Sequence, residues 1–136
     1  MNSGLKGGLV VLDAEGLSRT ISRDPYMQYV FNNVRNNDVP IIISAVTLVE
    51  VIHPKINRAA LSWTLSRLRV EPVTEQLSLA AADLLQAARR HGHTHTLDAL
   101  VCATALAQVG HTTIYTSDPD DIEALVAGRA TVVPLH

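Results

Sequence analysis

Two hydrophobic rhythms share this chain. The uninterrupted apolar runs Leu9-Val10-Val11-Leu12 and Ile41-Ile42-Ile43 suit short strands buried on both faces of a parallel sheet, with Gly7-Gly8 marking the start of the first. Between them the spacing predicts a helix over 14–22 and another with Pro25 in its first turn, along which Tyr26, Tyr29, Val30 and Val34 repeat at helical intervals. A helix over 45–52 stops near Pro54, and one over 59–68 sets Leu61, Leu65 and Leu68 on one side. Residues 70–73 predict a short third strand, 77–90 a helix closing at Gly92, and 97–109 a long helix leading through Gly110 to a strand over 112–116. A helix over 119–126 and a strand over 131–133 complete the pattern. Strands alternating with helices predict an α/β fold with a mainly parallel central sheet between helical layers. No repeat, low-complexity tract or linker interrupts it, so a single domain over 1–136 is expected.

Composition narrows the function classes. Hydrophobic residues make up 47% and charged residues 18%, too aliphatic and too weakly charged for disorder. A net charge of −2 lacks the basic signature of a stand-alone duplex-DNA binder, so any nucleic-acid contact must be local. Cys102 is the single cysteine and falls in an apolar helix, which fits a core residue in a reducing compartment better than a nucleophile. No charged-then-apolar leader precedes Asp13 and no apolar run reaches membrane-span length, so a soluble cytoplasmic protein is expected.

The chemistry concentrates in four acids. Asp13 and Asp118 follow predicted strands, Glu50 is the only charge between Val39 and Ile52, and Asp98 the only one between Leu97 and Val109. Each has an ordinary reading: Asp13 and Asp118 as helix N-caps, Asp98 as a complement to the helix dipole. Glu50 gains nothing from capping. In a doubly wound sheet the carboxyl strand ends share an edge, which brings Asp13 and Asp118 together and lets Glu50 point back over them. Gathered carboxylates raise one another's pKa unless a cation holds them. A hard divalent ion prefers carboxylate oxygens and water, and no cysteine–histidine set with zinc spacing competes.

These segments resemble a known family. Val10-Val11-Leu12-Asp13-Ala14, the run Ile43 to Glu50, Leu97-Asp98-Ala99-Leu100 with the helix after it, and Tyr115-Thr116-Ser117-Asp118-Pro119-Asp120-Asp121-Ile122 are similar, in order and spacing, to PIN-domain ribonucleases. The likeness is strongest to the small toxins of VapBC toxin–antitoxin pairs and runs over about residues 9–133. The resemblance implies a PIN-like three-layer α/β/α domain. It also implies that Asp13, Glu50, Asp98 and Asp118 bind Mg²⁺ or Mn²⁺, with Asp121 a candidate fifth member. Thr116 or Ser117 corresponds to the small polar residue before the fourth acid, a candidate RNA contact. The implied activity is an endoribonuclease toxin acting on structured RNA such as tRNA or rRNA, forming a homodimer and neutralised by a cognate antitoxin.

Other features carry weaker signals. Arg19 and Arg23, just past Asp13, can hold an RNA backbone or be solvated helix charges. His91, His93 and His95 alternate and can ligate zinc or another transition metal or bind RNA, but they lie between two helices and a polar loop is the expectation for them. Tyr26, Tyr29, Phe31 and Trp63 can stack bases, but core or dimer packing is expected for most. The apolar stripes of helices 25–36 and 59–68 predict a groove for an antitoxin segment. Two other classes compete: a catalytically silent PIN-like protein-binding module, and a phospho-acceptor receiver domain. The receiver needs a lysine after a late strand, whereas Lys6 and Lys55 stand elsewhere.

Overall fold

The computed structural model describes residues 8–136, so Gly7 lies outside the described residues. The two apolar runs form β1 (Leu9–Leu12) and β2 (Ile41–Ser44), every residue of both being buried. With β3 (Arg69–Glu71), β4 (Thr112–Thr116) and β5 (Thr131–Pro134) they make one five-stranded sheet among the described residues, all parallel, in the order β3-β2-β1-β4-β5. That order is not the 2-1-3-4-5 of receiver domains, which removes the receiver reading on topology.

The alternation of β1 splits the core in two. Val10 and Leu12 point to a cluster with Leu17 of α1 (Ala14–Ile21), Met27 and Phe31 of α2 (Pro25–Asn36), Val51 of α3 (Ala45–Val51) and Leu61 of α4 (Arg58–Leu65). Leu9 and Val11 point to the other, with Leu84 of α5 (Glu75–Ala88), Cys102 of α6 (Gly92–Leu106) and Ile122 and Val126 of α7 (Pro119–Val126). Sequence neighbours therefore serve opposite faces, and the result is the expected α/β/α sandwich. Each fully buried side chain of this kind contributes about 1.5–3 kcal/mol. None of the described helices is long and apolar enough to cross a membrane.

Element boundaries move where local chemistry overrides hydrophobicity. The third strand covers 69–71 and not 70–73, because Pro72 cannot donate to the ladder. Thr74 starts α5 earlier than expected by accepting a bond from the Leu77 N–H at 3.0 Å, and Arg89 ends it in the left-handed region at φ 56°. α4 runs over 58–65, capped by the Asn57 side chain and short of Leu68. The expected 97–109 helix begins at Gly92 and ends at Leu106, with a non-helical residue at His95. His93 and His95 therefore belong to a kinked first turn and not to a polar loop.

The chain leaves β1 toward β2 on one side and later returns to pair β4 on the other. The connections diverge there, so a crevice opens at the carboxyl ends of β1 and β4.

Candidate metal and catalytic site

Asp13 is the first residue past β1 and is 6% exposed. Its Oδ1 accepts a hydrogen bond from the Gly16 N–H at 2.9 Å, capping α1, and its Oδ2 accepts one from the Ser117 N–H at 3.0 Å. Capping and site geometry are therefore not alternatives here. The cap fixes one oxygen and the end of β4 fixes the other.

Asp118 arrives by a different device. Thr116, fully buried at the end of β4, accepts a bond from the Asp118 N–H on its Oγ1 at 2.9 Å. That holds the backbone and leaves the Asp118 carboxylate without a capping bond. The expectation that Asp118 caps the following helix is thus corrected: Pro119 at the first helical position already removes one orphan donor. Thr116 is corrected too, since a residue sealed at the strand end cannot contact RNA. Ser117 remains exposed, with its N–H committed to Asp13.

Glu50 comes from the last turn of α3, whose start is capped by Ser44 Oγ accepting from the Val46 N–H at 3.3 Å. Asp98 comes from α6. The structure gathers Asp13, Glu50, Asp98 and Asp118 around one cavity of about 180 Å³, with Glu15, Ser117 and Val101 completing the wall. Larger cavities lie elsewhere, and size does not mark the chemistry.

The acids differ in exposure more than their apolar sequence contexts suggest. Asp13 is buried and Asp98 half-buried, whereas Glu50 and Asp118 are exposed. Their carboxyls still feel one another. Burial, then Asp118, Asp121 and Asp13, push Asp98 up to about 6, against a smaller lowering by His95. Glu50 is held above the usual carboxylate range by loss of water, then by Asp13 and Asp118. Burial and then Asp98 push the Cys102 thiol up to about 12, so it is an inert core residue. A small cavity walled by carboxylate oxygens, with Glu50 and Asp98 at raised pKa, fits a hard divalent ion and its waters.

The remaining candidates fall outside this cavity. Asp121 lies beside Asp98 and His95 instead, and Arg90 approaches it at 3.4 Å. Arg19 is committed: its Nε donates to Glu15 Oε1 at 2.8 Å and its Nη1 to the His136 carbonyl at 2.7 Å. Arg23 sits past the opposite end of α1 from Asp13, in the left-handed region at φ 63°, on the wall of a different cavity. Neither arginine lines the acidic cavity itself, although Arg19 is paired with Glu15 of its wall. Phe31 is core, Trp63 packs on it at 6.1 Å, and Tyr26 and Tyr29 are exposed. Sequence reasoning missed Glu15, and it set His95 aside as loop although the alternating histidines offer it as a ligand. Glu15 reads as ordinary first-turn acid, and its adjacency to Asp13 was the available signal.

No protein-family profile and no curated protein matches this chain. Among solved structures it is similar to VapBC2 from Rickettsia felis bound to a DNA fragment from their promoter, with TM-score 0.73 and 16% identity over 94% of this chain and 99% of that one. It is also similar to FitAcB from Neisseria gonorrhoeae, with TM-score 0.61 and 17% identity over 91% and 96% of the two chains. The chain has a PIN-like fold of the kind its motifs resemble.

Proposed function

We propose that this protein is a metal-dependent endoribonuclease, the toxin of a toxin–antitoxin pair. The observation that carries the reading is the convergence of Asp13, Glu50, Asp98 and Asp118 on one small cavity at the edge where β1 and β4 end. The similarity to VapBC2 and FitAcB supports it at the level of the fold.

The four carboxylates would hold Mg²⁺ or Mn²⁺, which supplies an acidified water and neutralises phosphate charge. Unaided, the same acids repel a phosphodiester. Asp13, pinned by Gly16 and Ser117, keeps its two oxygens at a fixed angle to the cavity. Asp98, with its raised pKa, is the group whose ionisation sets when the site is fully charged. Asp118, without a capping bond, is free to face the cavity. Water as nucleophile excludes a 2′,3′-cyclic phosphate, and the resemblance to PIN-domain ribonucleases implies loss of the 3′-oxygen, leaving a 5′-phosphate and a 3′-hydroxyl. The substrate class is structured RNA, tRNA or rRNA.

The antitoxin belongs to the same reading. Between the end of α1, α2 and α4 lies a groove of about 660 Å³, walled by Ile21, Arg23, Gln28, Asn32, Ala60 and Trp63, which suits an amphipathic segment. A homodimer is part of the proposal, with exposed Tyr26 and Tyr29 available to it.

Sequencing RNA 5′ ends after expression of the chain tests the function. New 5′-phosphate ends at reproducible positions in tRNA or rRNA, absent with Asp98→Asn, are expected. Ends carrying 2′,3′-cyclic phosphates upstream would contradict hydrolysis by water.

A further inference from the structure

One cluster beside the carboxylate cavity contains a ligand that the proposed activity does not use. α6 loses helical geometry at His95, with φ −121° and ψ 16°, just before the regular turns that carry Asp98. His95 and Asp98 are three residues apart, and across this kink their donor atoms lie close together. Across from them, in the first turn of α7, Asp121 places Oδ2 3.7 Å from His95 Nδ1. One donor atom from each of His95, Asp98 and Asp121 falls within 4.8 Å of the others, and all three residues are half-buried.

The second oxygen of Asp121 has its own neighbour. Oδ1 lies 3.4 Å from Arg90 Nε, a buried atom with no hydrogen-bond acceptor among the described residues. Arg90 thus approaches one oxygen of Asp121 as an ion pair without a hydrogen bond, while Oδ2 lies toward His95.

We propose that His95, Asp98 and Asp121 form a second metal position that takes a first-row transition ion such as Zn²⁺ in preference to Mg²⁺. It rests on the nuclease reading only in sharing Asp98 with that centre. An imidazole nitrogen suits zinc and its neighbours, whereas magnesium favours oxygen and water. Donors bound to one ion at about 2.0–2.2 Å stand about 3–4 Å apart, so a side-chain adjustment of under about 1 Å closes this set. Waters complete the coordination, since only three protein ligands converge.

Calorimetric titration of the metal-free full chain with Zn²⁺ and, separately, Mg²⁺ tests the assignment. Parent protein should bind Zn²⁺ at least about tenfold more tightly than Mg²⁺, and His95→Ala should lose at least about tenfold in Zn²⁺ affinity while Mg²⁺ affinity stays within about twofold. The double variant His91→Ala, His93→Ala, which removes the two exposed neighbours, should behave as the parent. In the parent, the His95 ring-nitrogen chemical shift should move on Zn²⁺ addition, a readout that needs no variant to fold. Unchanged Zn²⁺ affinity in His95→Ala, loss in the double variant instead, or an unmoved His95 nitrogen would overturn the site. Failure of the nuclease reading appears separately, as intact RNA with metal bound.

Discussion

Asp13 Oδ2 accepts a hydrogen bond from the Ser117 N–H at 3.0 Å, joining residues 104 apart in the chain. With Oδ1 occupied by Gly16, this carboxylate ties the end of β1 to the end of β4 and to the start of α1. Asparagine has one acceptor oxygen and an NH₂ that would face a backbone N–H. Asp13→Asn should therefore lose about 1–3 kcal/mol of stability as well as metal-dependent cleavage. Urea unfolding beside an activity assay checks both. A variant as stable as the parent would mean that the Ser117 bond contributes nothing.

Thr116 offers a cleaner separation of support from chemistry. Thr116→Val removes the acceptor of the Asp118 N–H without changing volume, and should cost about 1–3 kcal/mol and lower cleavage. Thr116→Ser keeps the oxygen and should restore most activity. Equal activity of the two variants would show that this bond does not position Asp118.

Asp118 and Asp121 are distinguished by what else they touch. Asp118 makes no capping bond, so Asp118→Ser should melt close to the parent yet lose cleavage by more than about 100-fold, the upper end for loss of an outer metal partner. Asp121→Ser breaks contacts with Arg90 and His95 and should lower stability more and Mg²⁺-dependent cleavage less. The reverse ranking in cleavage would reassign the fourth acid.

The raised pKa of Asp98 gives a pH signature. Its usual value is 3.8 and its folded value about 6, so the metal-free folded state binds a proton more readily than the unfolded chain. The resulting loss of stability is absent below pH 3.8, grows through the window up to about 6, and is complete above it. Metal-free protein should thus melt higher at pH 5 than at pH 7, and Asp98→Asn should flatten that dependence. Mg²⁺ needs the ionised form, so stabilisation by Mg²⁺ should shrink below about pH 6. Melting curves with and without Mg²⁺ across this range read both signs.

The sheet and the acids were legible because each leaves a one-dimensional trace. Aliphatic runs announced β1 and β2, and lone charges in apolar surroundings singled out Glu50 and Asp98. The rest depends on pairings that sequence spacing does not carry. Nothing in the order of residues tells that Arg19 spends its guanidinium on Glu15 and the His136 carbonyl, or that Thr116 turns inward while Ser117 turns out. The His95 kink was hidden by a polar stretch that reads as a loop, and its meeting with Asp121 requires α6 and α7 to be placed side by side.

Cleavage of purified tRNA and rRNA by the antitoxin-free protein, with Mg²⁺, with EDTA, and with Asp98→Asn in Mg²⁺, tests the central claim most directly. Asp98 lines the acidic cavity and makes no side-chain hydrogen bond to another described residue, so its substitution removes charge with little structural cost. Defined fragments should form only with the parent in Mg²⁺. Equal cleavage in EDTA, or by Asp98→Asn, would contradict a metal-dependent nuclease built on these carboxylates.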